Sequence, residues 1–136
     1  ILMIEERIKQ QAELMEPLVG HDRLHYLIDI AREVEPLTEQ EKIDENKIRG
    51  CASNLWLVGQ CIDGLMYYKH DADAFITKGT AKLLVDLVNG ARQSDVAKLT
   101  LESFNGLGIK ELLTMQRQIG FGSLIEKIIA IAKSSK

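Results

Sequence analysis

The groups in this chain that could do covalent or metal chemistry are few: two cysteines, three histidines and scattered carboxylates. Cys51 is the first candidate. It stands between Gly50 and a strand that starts near Ser53, which puts it on a loop or turn. Gly50 lets the backbone bend tightly there. Lys47 and Arg49 precede it, and Asn46, Ser53 and Asn54 surround it with polar groups. Basic neighbours favour the thiolate, the reactive form of the side chain. A buried, inert cysteine is the commoner fate of this residue type, and the residues alone leave both readings open. Cys61 is the resolving partner to test. It falls just before the Asp63-Gly64 turn, near the far end of the first hairpin strand. Ten residues of extended chain from Cys51 span about 33 Å, whereas a disulfide needs Cα atoms about 6 Å apart. An intact strand therefore conflicts with an intramolecular pair, and Cys61 reads as a strand or turn residue without a role.

The remaining candidates are weaker. His21 and His25 are four apart, a spacing that places two ligands on one helix face. Gly20 and Asp22 suggest that the helix is only starting there, and His70 is far away in sequence, so no metal site is expected. Two thiols cannot by themselves build a four-cysteine zinc site or a conventional iron–sulfur cluster, nor a disulfide framework. Glu5-Glu6 and the Glu39/Glu41 pair read as solvated faces, and Thr38-Glu39-Gln40-Glu41 as a capping box. Asn105-Gly106-Leu107-Gly108 and Gly120-Phe121-Gly122 read as turns before helices. Neither carries the Lys-Ser/Thr that a phosphate loop requires, and no nucleophile elbow is present.

The elements that must position Cys51 follow from the pattern. The 136 residues, 46% hydrophobic and 27% charged, suit one soluble globular domain spanning 1–136, with Ile1 and Leu2, which precede a Met, read as a processed or added terminus. A net charge of -3 and only one Trp, three Tyr and three Phe give no footprint for nucleic acid. The apolar runs are far too short to span a membrane. No charged-then-apolar leader opens the chain, and with so few cysteines the expected location is cytoplasmic. Periodicity predicts a first helix over Ile4–Met15. A second runs through Leu24, Leu27, Ile28, Ala31 and Val34, capped by Asp22 and ended by Pro36. Asn46–Arg49 reads as a short extended piece and Ser53–Val58 as a strand. Asp63-Gly64 is a hairpin signal, with Leu65–Tyr68 returning. Asp71 or Asp73 caps a long helix through Val88, with Gly90 at its C′ position. Short helices follow from Ser94 toward Leu99 and over Leu107–Thr114, and a last helix covers Phe121–Lys133. The sum is an α+β fold: a small antiparallel sheet of about three strands packed with several helices.

At Cys51 the residues also match a pattern. Ile48-Arg49-Gly50-Cys51-Ala52-Ser53-Asn54-Leu55-Trp56-Leu57 resembles the Gly-Cys-x-Ser-x-hydrophobic-Trp segment of the SufE/CsdE family, sulfur acceptors for cysteine desulfurases in iron–sulfur cluster assembly. Further segments agree in order and spacing. Arg23–Ile30 is similar to the family's Tyr-Leu-Ile-Glu-Leu helix, followed by Pro36-Leu37. Asp71-Ala72-Asp73-Ala74-Phe75-Ile76-Thr77-Lys78-Gly79 is similar to Asp-Ser-Asp-Ala-x-Ile-Val-Lys-Gly. Leu113–Gly120 resembles Leu-Thr-Pro-Ser-Arg-x-x-Gly, with Met115-Gln116 in place of Pro-Ser, and the closing helix with Leu124–Ile128 agrees as well.

The resemblance implies that Cys51 accepts persulfide sulfur from a pyridoxal-phosphate-dependent cysteine desulfurase, stimulates that enzyme, and relays the sulfur to an iron–sulfur cluster scaffold. The chain itself would need no cofactor and no metal. Gly50, Ser53, Asp73 and Arg117 fall on the motif positions as supporting or partner-contact residues. Arg117 would favour the thiolate or pair with Asp73, whereas a helix cap for Asp73 and a surface charge for Arg117 are the competing readings. Gly50 would let the loop hold Cys51 inward and swing it outward. The alternative function is a thiol redox protein using Cys51 against peroxides or disulfides.

Overall fold

The computed structural model describes residues 3–51, 53–109 and 113–135. Its helices are α1 (Ile4–Met15), α2 (His21–Ala31), α3 (Phe75–Val88), α4 (Gln93–Ala97) and α5 (Met115–Ser134), and its strands are β1 (Leu55–Ile62) and β2 (Leu65–Ala72). A single 3-10 turn covers Asp44–Asn46 and a longer 3-10 helix Leu101–Leu107. The short helix expected over Leu107–Thr114 includes residues 110–112, which lie outside the described residues.

The hairpin forms where its turn chemistry requires it. Asp63 and Gly64 have φ of 52° and 81°, the left-handed pair of a two-residue turn whose twist matches that of the flanking strands. The register runs from Ile62↔Leu65 to Leu55↔Ala72. Both strands are longer than the sequence suggests. Lys69, His70 and Asp71 break the apolar alternation, yet β2 continues through them with His70 and Asp71 buried. The sheet has two strands rather than about three. Because Asp44–Asn46 coils into a 3-10 turn, only a bridge remains of the extended piece: Lys47 opposes Trp56, and Ile48 N–H donates to Leu55 O at 2.7 Å.

One face of the sheet makes the core. Leu55, Leu57, Met66, Tyr68 and Ala72 are buried together with Leu84 and Val88 of α3 and Leu124, Ile125 and Ile128 of α5. The Tyr68 hydroxyl donates to Ile128 O at 2.7 Å, which satisfies a polar tip that would otherwise cost free energy in the core. Helices α2 and α3 meet at Gly79, where a Cβ would stand 1.9 Å from Leu27 O.

Helix starts differ from the caps read in the sequence. Helix α2 begins at His21 after Gly20, not at an Asp22 cap, and ends at Ala31, so His21 and His25 share the helix one turn apart, both exposed. Ala74, not Asp71 or Asp73, precedes α3. Asp71 instead sits buried on β2. It accepts hydrogen bonds from Leu37 N–H (3.1 Å) and Ala72 N–H (2.8 Å), and pairs with Lys42 and Lys78, each at 3.2 Å. These contacts strap the 37–42 segment across the outer sheet face, where Lys42 also lies over the Trp56 ring. Thr38 and Glu41 close a side-chain box as their spacing suggests, but around a turn rather than a helix. Helix α5 begins at Met115, six residues before Phe121. Thr114 caps it by accepting from Arg117 N–H at 3.3 Å, so Gly120 and Gly122 lie within a helix.

Two stability effects follow. Replacing Gly79 by Ala would gain about 1 kcal/mol of helix propensity, but the new methyl would meet backbone that cannot move aside without parting α2 from α3. The variant is expected to lose about 1–3 kcal/mol overall, read as a lower midpoint in urea. His70 is buried, its Nδ1 has no partner among the described residues, and burial pushes its pKa down to about 4. The unfolded chain takes up that proton near an ordinary pKa of about 6.5. Stability from the neutral ring is therefore complete above about pH 6.5 and is lost as pH falls from there toward 4, by about 3 kcal/mol. Asp71 adds to this only in stronger acid. Burial raises its pKa, but the bonds from Leu37, Lys42, Lys78 and Ala72 outweigh that and hold it below the ordinary carboxylate value. A His70→Leu variant should flatten the loss between pH 6.5 and 4 in urea titrations.

Candidate functional site

The segment carrying Cys51 is fastened on both sides. Before it, buried Ile48 is tied to Leu55, and Gly50 turns the chain with φ of +80°, a conformation that L side chains rarely adopt. A Cβ at Gly50 would come within 3.3 Å of Ile119 Cγ2 and 3.5 Å of Ser123 Oγ, so the turn rides directly on α5. After it, Ser53 and Thr77 join hydroxyls at 2.9 Å. Asn54 donates from Nδ2 to Asp73 Oδ2 at 2.6 Å, and Asp73 N–H donates back to Asn54 O at 3.1 Å. The loop is thereby hung between α5 and the entry to α3.

Between these fastenings Cys51 is half-buried and packs over Gly120. A Cβ on Gly120 would stand 2.9 Å from Cys51 Sγ and 3.3 Å from its Cβ, so the sulfur occupies room that exists because residue 120 has no side chain. Beside it lies a cavity of about 20 Å³. Leu55, Leu113, Phe121 and Leu124 form its apolar wall, and Thr77 and Arg117 belong to its polar lining. Arg117 is held one turn into α5 by the Thr114 cap, and among the described residues no carboxylate pairs with its guanidinium.

The structure thus brings Cys51 and Arg117 to one recess, with Gly50 and Ser53 shaping the loop. Among the described residues Asp73 makes no ion pair with Arg117; its carboxylate fastens Asn54 and does not cap α3. Two residues of the site are missed by the sequence reading: Gly120, read as a turn residue because a second glycine follows two positions on, and Thr77, which no local signal singles out. Asn54 is read as polar surroundings of Cys51, without its partner Asp73. Cys61 lies in β1 opposite Met66. Six strand residues, about 20 Å, separate it from Leu55, which lines the Cys51 recess. Among the described residues no group of three or more His, Cys, Asp or Glu is placed to hold a metal ion, and no helix is long and apolar enough to cross a membrane.

A half-buried thiol in an apolar recess, with an arginine in its lining that has no carboxylate partner among the described residues, can hold a soft, anionic sulfur species away from solvent. Comparison with known proteins agrees with a sulfur-related setting. Residues 7–132 match the family described as SufE: Fe-S metabolism associated domain. A SufE-like protein of Rhizobium meliloti is 32% identical over 112 residues, covering 79% of this chain and 80% of its own. One of Rhizobium etli is 33% identical over 117 residues, covering 82% and 79%. A solution structure of a hypothetical protein from Thermus thermophilus shares the fold, with a TM-score of 0.77 over 93% of both chains at 20% identity. With residues 7–132 of this 136-residue chain matched to the family model, the chain belongs to the SufE family associated with Fe–S metabolism.

Proposed function

We propose that this protein is a sulfur acceptor: it takes persulfide sulfur from a pyridoxal-phosphate-dependent cysteine desulfurase onto Cys51, stimulates that enzyme, and passes the sulfur to an iron–sulfur cluster scaffold. The observation that carries the reading is the seat of Cys51 Sγ over Gly120, in an apolar recess with Arg117 as the charged residue in its wall. The step is thiol–disulfide exchange in kind. The Cys51 thiolate attacks the outer sulfur of the donor persulfide, a new S–S bond forms at Sγ, the donor's S–S bond breaks, and the donor cysteine leaves as thiolate. No net oxidation occurs and no further reagent is needed.

The same residues suggest how sulfur is kept and then delivered. In the recess a persulfide is screened from stray thiols by Leu55, Phe121 and Leu124. Reaching a partner's active site requires the loop to move outward, and the turn at Gly50 is where the backbone has the freedom to do so. Ile119, 53% exposed beside Gly50, offers apolar surface at the mouth of the site to a docking partner.

The experiment mixes protein, desulfurase and cysteine, and reads sulfur added to the chain by intact mass. Cys51→Ser should accept none and give no stimulation while its fold is unchanged, since the substitution is nearly isosteric but oxygen cannot carry a persulfide. Cys61→Ser should transfer within a few-fold of the parent. Full stimulation by Cys51→Ser would overturn the relay in favour of binding alone.

A further inference from the structure

The hairpin has two outer edges, and only one of them is closed. Because Asp63-Gly64 is a two-residue turn, Ile62 and Leu65 pair through the backbone, and inward and outward groups alternate from there. In β2 the outward groups near the turn belong to Met66 and Tyr68. Met66 N–H donates to Ala91 O, and Gly90 N–H donates to Met66 O. Tyr68 N–H donates to Asn89 Oδ1, and Asn89 Nδ2 donates back to Tyr68 O. In β1 the outward groups belong to Leu55, Leu57, Gly59 and Cys61. Leu55 O accepts from Ile48 N–H, and the bridge between Lys47 and Trp56 covers that end. Among the described residues no hydrogen bond reaches the outer N–H or C=O of Gly59 or Cys61. Open edges are usually guarded by charge, proline or a bulge. Leu55–Ile62 carries no charged residue and no proline, and its register with β2 runs unbroken.

We infer that this edge is an interface for a second copy of the chain. Strand β1 pairs antiparallel with β1 of the other copy about a two-fold axis at Gln60, which joins the two hairpins into one continuous sheet. The register follows from the free groups. With Gln60 opposite itself, Gly59 of each copy faces Cys61 of the other, and each such pair exchanges both of its N–H···O bonds. No other axis pairs the two free residues with each other. On the outer face this axis sets half-buried Val58 of one copy against Ile62 of the other, which is 47% exposed in the single chain. Asp63 of each copy comes beside the Lys47 segment of the other. These two are opposite in charge, and neither has an ion pair among the described residues. Lys69, on the same face, is already neutralised by Glu41 at 2.9 Å, so no like charges are forced together. The contact is self-complementary, as a two-fold interface must be, and it is short, which makes the dimer reversible. Gln60 lies about 17 Å along the strand from Leu55 of the Cys51 recess, so both recesses stay clear of the axis.

Sedimentation equilibrium over about a hundredfold range of concentration should show monomer and dimer and nothing larger, because the Asn89–Ala91 segment occupies the other edge of each hairpin. Gln60→Lys sets like charges opposite each other at the axis and should weaken association about tenfold or more. Gln60 is exposed, and an unchanged urea midpoint for the monomer checks that the fold is intact. Cross-linking reads the register. In a chain with Cys51→Ser and Cys61→Ser, Gln60→Cys puts the introduced thiols on a non-hydrogen-bonded pair with Cα atoms about 4.5 Å apart, within reach of a disulfide. Oxidised glutathione, which takes up the two electrons, should link this chain about tenfold faster than one carrying Val19→Cys, at a position 70% exposed and away from the hairpin. A monomer at every concentration would overturn the interface. Equal linking at residues 60 and 19 would overturn it as well, and a dimer that Gln60→Lys leaves intact would do the same by placing the contact elsewhere.

Discussion

The buried carboxylate of Asp71 is the constraint on which the rest of the arrangement depends. A charge with 5% side-chain exposure must be compensated or it would not stay ionised inside the fold. Its compensation is drawn from three parts of the chain: the backbone at Leu37 and the ammonium of Lys42 from one segment, Lys78 from α3, and the amide of Ala72 from β2 itself. Satisfying one side chain therefore fixes the strap over the outer sheet face, the end of the hairpin and the first turn of α3 relative to one another. Two residues further on, Asp73 fastens Asn54, and the loop bearing Cys51 hangs from that point. The seat of Cys51 inherits its geometry from this ion cluster.

On the proposed role, sheltering and presenting the same atom are opposed requirements on the loop. Its two flanks are held by few bonds, the Ile48–Leu55 amide on one side and the Ser53–Thr77 and Asn54–Asp73 pairs on the other. Gly50 meets α5 at Ile119 and Ser123, and Cys51 meets it at Gly120. Packing contacts of this kind are lost gradually as a loop lifts, whereas a hydrogen-bonded attachment would have to break before any motion began.

Much of this is legible in the sequence where local chemistry decides the outcome. The bounds of α1 follow from its apolar stripe, the hairpin follows from Asp63-Gly64, and Cys51 stands out by its neighbours in the chain alone. What stays hidden is decided at a distance. The second strand reads as ending at Tyr68 because Lys69, His70 and Asp71 break its apolar alternation, and only Lys42 and Lys78, remote in sequence, make the burial of Asp71 tolerable. The two aspartates read as helix caps because capping is what a short carboxylate before a helix usually does. The pair of glycines at 120 and 122 reads as a break because glycine usually punctuates a helix. Only the position of Cys51 against α5 shows that Gly120 answers to a sulfur atom and not to a turn.

The seating of one thiol in the recess has a consequence for supply. On the proposed role, a carrier that loads at one cysteine cannot stockpile. Its cargo is a fixed parcel, and the stream of sulfide into cluster building becomes a count of encounters. A scaffold that needs several sulfides must be visited as many times. Throughput then rises with the abundance of the carrier and the frequency of its collisions, and a surplus of donor leaves the parcel unchanged. Such a carrier meters a reactive element by arithmetic, so that slow consumption downstream backs up as occupied carriers instead of as free sulfide.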